Sequence, residues 1–252
     1  MTSELSEQNR RAWEAQAYEA WMRQYGTPQD YAVKLGETFA YKLRHIAPHL
    51  GDLRGKKVAN PLGSNGRLGV ALALAGAGVT VFDISEPNQR YALELAQAAG
   101  VALEYIVGDF GSLELSSYEE KFDAVVIDHG VLHYFTNLDG FMARVAYLLH
   151  ADGKLVIHEF HPLLKKSVGI IMGNTQFTGS YFATDIETAP VAFSAFTDAP
   201  ETLPTCLVRR WTLGEIVTAC ASGGFVIEKL LELPDSAAPT LPGSFVLSAY
   251  SR

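Results

Sequence analysis

Short apolar runs alternate with segments of helical length through the middle of this chain, and that alternation limits the folds open to it. The apolar runs are predicted as strands, at residues 56–60, 79–83, 102–107, 122–128 and 153–159. The segments between them are predicted as helices, at residues 67–76, 87–99 and 137–149, with a poorly defined one near 111–119. Parallel strands need long crossover connections, and these intervals supply them. The pattern therefore predicts an α/β fold: a doubly wound parallel sheet with helices on both faces.

A helical region precedes the alternating part. Residues 4–25 are predicted as one amphipathic helix, Gly26-Thr27-Pro28 breaks it, and a second helix follows from about 29 to 50. We therefore divide the chain into an N-terminal helical lid over residues 1–50 and a main domain over residues 51–252.

The regular pattern stops a second time at residues 161–210, which hold several Gly, Thr and Pro residues and scattered aromatic residues. An irregular stretch of this length inside a domain is usually a functional insert or a lid. The sequence then predicts a helix at 212–222 and strands near 225–232 and 244–250. Because no helix separates those two strands, we expect an antiparallel pair at the edge of the sheet.

Charge and composition disfavour several classes of partner. The net charge is −8 and basic residues form nothing longer than pairs, so nucleic-acid binding through phosphates is disfavoured. The most apolar stretch, Leu68 to Ile84, contains three glycines and is typical of a helix followed by a strand, not of a membrane span. The two cysteines have no motif spacing and the first residues include no apolar segment, so we expect a cytoplasmic protein.

A glycine-containing loop follows the first strand, and a carboxylate closes the second. The loop lies within "KVANPLGSNGR", from Lys57 to Arg67, and Asp83 ends the next strand. Ligands of open parallel sheets bind where strands end, and glycine lets the main chain approach them closely. The helix that follows the loop offers free N–H groups to a carboxylate or phosphate. Since a carboxylate such as Asp83 can accept hydrogen bonds from ribose hydroxyls, the two features predict a nucleoside-type cofactor site.

A third polar residue follows the third strand, in "VGDFGSLEL". Asp109 can hydrogen-bond an adenine amino group, and the neighbouring Phe110 can cover the face of the ring. Asp109 alone is equally typical of a turn or a helix cap. In combination with Gly63, Gly66 and Asp83 it favours adenosine over another nucleoside.

Four segments of the chain, in this order, resemble the class I S-adenosylmethionine-dependent methyltransferases. They are "KVANPLGSNGRLGVALALAGAGVTVFDIS", "YIVGDF", "FDAVVIDHGVLHYF" and "LLHADGKLVIHEFHP", from about residue 55 to 162. The resemblance implies a Rossmann-like methyltransferase fold with a seven-stranded, mostly parallel sheet whose last strand is antiparallel. It also implies S-adenosylmethionine as cofactor, with the methionine part over the first loop, the ribose on Asp83 and the adenine near Ile84.

The cofactor-binding residues predicted in this way are Asn60, Gly63, Ser64, Gly66, Asp83, Ile84, Gly108, Asp109, Phe110, Asp128, Tyr18 and Trp21. The first loop departs from the usual family pattern of an acidic residue followed by three glycines at alternate positions. Asn60 stands where the acid is expected, Gly66 is in register and Gly63 is displaced. Asn60 can still form hydrogen bonds, but it brings no negative charge toward the cofactor ammonium. A "GSNGR" loop of this kind looks similar to a bacterial subset of the family.

Histidines are concentrated after two strands that are neighbours in this fold. His129 and His133 follow the fourth strand, and His158 and His161 end the fifth. One of them could act as a general base, because an imidazole pKa near 6.5 suits proton transfer at neutral pH. They could also bind a metal with a nearby carboxylate, Asp128 or Glu159, or be structural. We take His129, His133 and His158 as catalytic candidates and predict no metal, because no zinc-like spacing with cysteine is present.

Aromatic residues mark the N-terminal helix. Trp13, Tyr18 and Trp21 could line a lid over the cofactor, or could fix the helix to the core. We favour the lid, because aromatic rings also pack against a sulfonium through cation–π attraction.

The function predicted from the sequence is methyl transfer from S-adenosylmethionine to an oxygen or nitrogen of a small molecule, by a monomer or homodimer. The insert at 161–210 would form the acceptor pocket. Two alternatives remain. A nicotinamide-dependent oxidoreductase would share the first loop and the acid after the second strand, but Asp109 and the absence of the dinucleotide glycine pattern disfavour it. A non-catalytic member would use the same fold for binding only.

Overall fold

A seven-stranded sheet forms the centre of the molecule in the computed structural model, which describes residues 2–171 and 174–252. The strands are β1 (Lys57–Pro61), β2 (Gly78–Asp83), β3 (Glu104–Val107), β4 (Phe122–Asp128), β5 (Leu149–Phe160), β6 (Val168–Ile171), β7 (Asn174–Phe177), β8 (Ile186–Ala189), β9 (Cys206–Arg209), β10 (Phe225–Pro234) and β11 (Pro242–Ser251). The α-helices are α1 (Thr2–Glu14), α2 (Ala17–Tyr25), α3 (Pro28–Lys42), α4 (Ala47–Leu50), α5 (Arg67–Leu74), α6 (Glu86–Ala98), α7 (Leu138–Leu148), α8 (Pro162–Lys166) and α9 (Leu213–Ser222).

The strand order of the sheet is β10-β11-β5-β4-β1-β2-β3. The pairs β1–β2, β2–β3, β1–β4 and β4–β5 are parallel, whereas β11 is antiparallel to both β5 and β10. The predicted mostly parallel sheet and its antiparallel final pair are therefore confirmed. Only β10 of that pair lies at the edge, since β11 is inserted between β10 and β5.

Alternate residues along the strands point to opposite faces of the sheet, as pleating requires. Val58 of β1 packs with the side chains of α3, α5 and α6, while the adjacent Ala59 packs with those of α7 and α9. Helices thus cover both faces, and the doubly wound α/β class predicted from the sequence is confirmed.

Local capping signals fix where the helices begin. The side chains of Thr27, Ser85 and Asn137 accept a hydrogen bond from the backbone N–H three residues on, at the starts of α3, α6 and α7. Proline follows the cap in α3 and α6, where its fixed φ suits the first helical turn. The helices that follow β2 and β4 therefore start at the edge of the sheet where these strands end.

Three helix predictions differ from the structure. The helix predicted at 4–25 is divided into α1 and α2, because Gln16 adopts a left-handed conformation with φ 62°. The helix predicted at 29–50 ends at Lys42 and resumes only as the short α4. The segment near 111–119 contains a single 3-10 turn at Ser116–Tyr118.

The insert at 161–210 contains α8 and two antiparallel strand pairs, β6–β7 and β8–β9. Residues 172 and 173, within it, lie outside the described residues. Across residues 2–171 and 174–252, no helix has both the length and the apolar character needed to cross a membrane.

Candidate functional site

A cavity of about 860 Å³ lies at the carboxyl ends of β1 to β4. The loops after these strands form one wall, and residues of α1, α2 and the insert form the opposite one. In open α/β sheets, ligands bind at the carboxyl ends of the strands, beside the point where the strand order reverses. The cavity lies at that edge of the sheet.

The loop after β1 is held in an unusual conformation. Leu62, Ser64 and Gly66 all have positive φ, of 51°, 50° and 72°. Gly63 has no room for a side chain, because a Cβ there would lie 2.5 Å from Asn60 Oδ1 and 2.7 Å from a Val81 methyl group. The loop therefore lies directly on β1 and β2, and it presents main chain to the cavity.

Asn60, at the end of β1, has an oxygen without a partner. Its Nδ2 donates to the Val126 carbonyl oxygen at 2.9 Å. Its Oδ1 is buried and accepts no hydrogen bond from the described residues, although Asn60 lines the cavity. Because a buried acceptor left unpaired is costly, this oxygen is suited to a donor brought by a ligand.

Asp83 joins the second strand to the loop of the first. Its carboxylate accepts hydrogen bonds from Ser64 N (2.9 Å), Ser85 N (3.0 Å) and Asn88 Nδ2 (3.1 Å). Burial raises the pKa of Asp83, and these hydrogen bonds act in the opposite direction. A carboxylate offers about four acceptor positions. The three bonds leave one position, close to the Tyr105 hydroxyl, which itself donates to the Ser64 carbonyl oxygen, and a ligand hydroxyl would use that position. Asn88 in turn accepts from Trp21 Nε1 at 2.8 Å, which connects the N-terminal helices to this carboxylate.

The residues after β3 border the cavity, but their side chains are mostly engaged in contacts with other residues of the protein. Asp109 accepts hydrogen bonds from Gly111 N (2.9 Å) and Ser112 Oγ (3.1 Å) and so closes a turn. Phe110 is only 2% exposed, and its ring packs edge-on against Phe82 and Phe141. The Phe110 ring belongs to the hydrophobic core, and Phe110 also borders the cavity, so its place over an adenine face stays a prediction.

The turn after β4 is fixed by a buried carboxylate. His129 and Gly130 have positive φ, 29° and 87°. Glu159, in β5, accepts hydrogen bonds from Gly130 N (2.6 Å), Val131 N (2.8 Å) and its neighbour Phe160 N (2.7 Å). Because Glu159 binds consecutive N–H groups of this turn, it sets the position of His129 at the cavity wall.

Asp128 is shared by two histidines and a lysine. His129 Nδ1 and His158 Nδ1 lie 2.8 Å and 3.2 Å from Asp128 Oδ1, and Lys42 Nζ lies 3.3 Å from Oδ2. Burial alone would raise the pKa of Asp128, but the hydrogen bonds from the histidines and the Lys42 charge hold it well below its usual range. With Nδ1 directed at the carboxylate, Nε2 of His129 remains as the nitrogen that can exchange a proton with a ligand.

The carboxylate and the two histidines of this group could together hold a metal ion. The ligand atoms of Asp128, His129 and His158 all lie within 4.8 Å of one another. The Lys42 ammonium, however, already balances the charge of the carboxylate. The absence of a metal stays a prediction.

His133 also lines the cavity, but its chemistry differs from that of His129. Burial and the nearby charges of Arg210 and Lys165 lower the pKa of His133 to about 3. The ring is therefore neutral at pH 7 and a weak base. His158 contacts His129 at the back of the site, in a second groove beside α3, and does not line the main cavity.

Comparisons with known proteins agree with this geometry. A family model described as a methyltransferase domain matches residues 62–157. The fold is similar to an S-adenosylmethionine-dependent methyltransferase from Mesorhizobium loti, with TM-score 0.62, 21% identity and coverage of 83% of this chain and 96% of that one. It is also similar to magnesium protoporphyrin IX methyltransferase from Synechocystis with bound cofactor, with TM-score 0.60, 18% identity and coverage of 98% and 97%. Residues 62–157 thus match a methyltransferase domain, and the chain has the fold of S-adenosylmethionine-dependent methyltransferases.

The chain is also similar to a curated protein, ubiquinone biosynthesis O-methyltransferase from Actinobacillus pleuropneumoniae. The two are 29% identical over 135 residues, which are 52% of this chain and 57% of the relative. The chain thus spans little more than half the length of the curated relatives it matches.

Most of the residues predicted to bind cofactor lie around the cavity. Those that line it are Asn60, Gly63, Ser64, Asp83, Ile84, Gly108, Asp109, Phe110, Asp128 and Trp21. Two of the predicted residues are not among the lining residues. Tyr18 points away, donates to Glu94 and packs against Tyr91 on the outer side of α6. Gly66 instead allows α5 and α6 to approach, since a Cβ there would lie 2.4 Å from that of Ala92.

Sequence reasoning did not find several residues of the site. From the sequence, Glu159 is suggested only as a metal ligand. Nothing in the local sequence shows that this carboxylate, at the end of a strand, binds the N–H groups of a turn about 30 residues away. Arg67 lines the cavity with its guanidinium 3.9 Å from the centre of the Tyr25 ring. Asn9, a buried residue in α1, also lines it. Its position depends on contacts with β9, almost 200 residues away, which no local pattern encodes.

Proposed function

We propose that this protein transfers a methyl group from S-adenosylmethionine to an oxygen or nitrogen atom of a small molecule. The observation that carries this proposal is the unpartnered Oδ1 of Asn60 beside the carboxylate of Asp83, both at one cavity wall of the described residues. An ammonium group and a ribose hydroxyl of the same ligand would satisfy these two acceptors.

Each part of the proposed cofactor has a matching group in the chain. Asn60 Oδ1 would accept a hydrogen bond from the ammonium, and Asp83 would accept one from the ribose. Arg67 has no carboxylate within 4.0 Å among the described residues, so it is available for the carboxylate of the methionine part. Asp109 and Ile84 would lie beside the adenine. Trp21, bonded to Asn88, would close the cavity from the α2 side.

When bound, S-adenosylmethionine supplies a methyl group that is already activated for displacement. The chain then has to align the acceptor with that methyl group and exclude water. During transfer the acceptor atom forms a bond to the methyl carbon while the carbon–sulfur bond breaks, and the acceptor loses one proton. His129 would take this proton on Nε2, while Asp128 holds Nδ1 and stabilises the resulting imidazolium. His133 is less suited to this role, because its pKa is about 3.

The parts of the chain around the cavity divide this work. The N-terminal region contributes Trp13 and Trp21, whose rings lie 5.6 Å from the Phe193 ring of the insert. We propose that residues 1–50 act as a lid and that the insert at 161–210 forms the acceptor pocket. Charged residues of the insert line the same cavity, as is required if the insert forms the acceptor pocket.

Equilibrium dialysis tests the proposed cofactor directly. S-adenosylhomocysteine and NAD are offered separately to the protein and to its Asp83→Asn variant, with Asp123→Asn as control because Asp123 bonds the main chain of Lys57 and does not line the cavity. We expect binding of S-adenosylhomocysteine, no binding of NAD, and affinity about 10- to 100-fold weaker in Asp83→Asn only. Binding of NAD in its place would support the oxidoreductase alternative and contradict the proposal.

A further inference from the structure

Two cationic side chains border the cavity on the side of the insert. Lys165, in α8, and Arg210, directly after β9, both line it. They come from opposite ends of the insert, but the segments that carry them are joined, because Lys166 Nζ donates to the Arg210 carbonyl oxygen; the charges of Lys165 and Arg210 both act on His133. Neither side chain is needed for the cofactor groups described above.

These cations are only partly neutralised by the protein. Among the described residues no carboxylate oxygen lies within 4.0 Å of Lys165 Nζ, which instead lies 4.1 Å from the centre of the Phe160 ring. Arg210 contacts Glu187 through Nε at 3.1 Å, and that glutamate side chain is 47% exposed. The carboxylate of Glu159, also at the cavity, is occupied by backbone N–H groups.

The two charges also oppose each other. Partial burial and the charge of Arg210 both lower the pKa of Lys165. An anion between the two side chains would relieve this repulsion. The free edge of a guanidinium is also suited to two parallel hydrogen bonds with a carboxylate or phosphate.

The main chain that carries these residues is fixed. Lys166, next to Lys165, is buried, and its Nζ donates to the carbonyl oxygens of Ala183 and Arg210, both at 2.6 Å. One lysine therefore ties α8 to the residue that supplies the guanidinium. This contact holds together the two main-chain segments from which the cationic side chains extend, which lowers the cost of bringing both to one anion.

An aromatic ring contacts both Lys165 and the proposed base. The centre of the Phe160 ring lies 4.7 Å from that of the His129 ring and 4.1 Å from Lys165 Nζ. Phe160 is 38% exposed and lines the cavity, so it offers an apolar surface between the two polar ends.

We propose that the methyl acceptor carries an anionic oxygen group, a carboxylate or a phosphate, bound by Lys165 and Arg210. The body of the acceptor packs on Phe160, and the atom to be methylated lies near His129, about one ring away from the anion. This inference rests on the proposed methyltransferase function and specifies its substrate class.

The test is calorimetry on protein saturated with S-adenosylhomocysteine, whose own binding is measured first. The probes are 3- and 4-hydroxybenzoate, each paired with its neutral hydroxybenzamide, and 4-hydroxyphenyl phosphate paired with phenol. The variants are Lys165→Gln and Arg210→Gln. Lys154→Gln is the control, because Lys154 lies in β5 and pairs with Glu228 outside the cavity.

We expect at least one anion to bind ten-fold or more tightly than its neutral partner, and both cavity variants to remove that preference. A preference confined to the benzoates would identify a carboxylate acceptor, and one confined to the phosphate would identify a phosphate acceptor. The inference is overturned if S-adenosylhomocysteine binds but no anion is preferred, or if the preference persists in both cavity variants. Failure of the wild type to bind S-adenosylhomocysteine would instead contradict the proposed function itself.

Discussion

The two walls of the cavity are built in different ways. The sheet-side wall, formed by the loops after β1 to β4, consists of short segments whose geometry comes from backbone conformation and nearby hydrogen bonds, as at Asp83 and Ser64. The cover, formed by α1, α2 and the insert, is assembled from contacts between distant parts of the chain, as at Asn9 and Leu207. In this molecule, the groups proposed to bind the cofactor are positioned mostly by local structure, whereas those proposed to bind the acceptor are positioned by tertiary contacts.

The largest effect expected on the sheet-side wall concerns His129. The change His129→Ala should lower turnover about 10²- to 10⁴-fold, the usual contribution of a general base, while binding of S-adenosylhomocysteine stays unchanged. The assay measures S-adenosylhomocysteine formed from S-adenosylmethionine with a panel of phenols, hydroxy acids and amines. His150→Ala is the matched control, because His150 also pairs with an aspartate, Asp123, but does not line the cavity. Equal turnover in the two variants would remove the general-base role.

The second prediction concerns how the sheet-side wall is built. Gly66→Ala should lower the free energy of unfolding by about 1–3 kcal/mol, since φ is 72° and the new methyl would overlap Ala92. At Gly36, on the exposed side of α3, a Cβ would have no atom within 4 Å, and φ is not positive, so Gly36→Ala should be neutral or stabilising. Urea denaturation of both variants measures this. Similar losses in both would contradict the packing role of Gly66.

The difference between the two walls also explains which features of the fold and of the site could be predicted from the sequence. The order of strands and helices and the position of Asp83 at the cavity follow from local signals: apolar periodicity, caps and a carboxylate at a strand end. The break in the N-terminal helix at Gln16 was missed because neither Gly nor Pro marks it. The position of Tyr18 cannot be predicted from the sequence, because the pattern around one aromatic residue on a helix does not show which neighbour it contacts. In the structure that neighbour is Tyr91.

The insert could be recognised only as irregular. Its paired strands are short, and β8 pairs with β9 across a long connection. The cavity-lining side chains of Lys165 and Arg210 lie in unremarkable Lys-Lys and Arg-Arg pairs. Their common position at the cavity depends on the Lys166 contact to the Arg210 carbonyl, which is a property of the folded chain.

A third prediction sharpens the account of the cover. Asn9 Nδ2 donates to the Leu207 carbonyl at 3.0 Å, and its Oδ1 accepts from Leu207 N at 2.7 Å, so one side chain completes both hydrogen bonds of a strand residue. Asn9→Ala should lower the free energy of unfolding by about 1–2 kcal/mol, because two backbone groups lose their partner. Gln8→Ala, which removes one exposed bond to Thr205, is the control and should change little. Thermal unfolding compares them, and equal shifts would show that the Asn9 contact does not hold the cover.

The smallest effect lies where the two walls meet, at His133. In the unfolded chain this histidine takes up a proton near pH 6.5, whereas in the folded chain it does so only near pH 3. Its contribution to stability is therefore complete above pH 6.5 and is lost as the pH falls toward 3. Between pH 7 and about pH 5.7 the wild type should lose about 1 kcal/mol more stability than His133→Gln.

His150 provides the control of opposite sign. A hydrogen bond to the Ala151 carbonyl and the contact with Asp123 raise the pKa of His150, so its contribution is present at low pH and is lost as the pH rises. Urea denaturation at the two pH values should therefore show opposite changes for His133→Gln and His150→Gln. Changes of the same sign would contradict the assignment of His133 as a neutral, buried ring.

The central claim is that the ends of β1 and β2 jointly hold an adenosyl amino acid. A crystal structure with S-adenosylhomocysteine tests it most directly. The account predicts that the ligand ammonium lies within hydrogen-bond distance of Asn60 Oδ1, a ribose hydroxyl bonds to Asp83, and the sulfur faces the side of the cavity that holds His129 and Phe160. A ligand bound away from Asn60 and Asp83, or a sulfur directed away from His129, would contradict it.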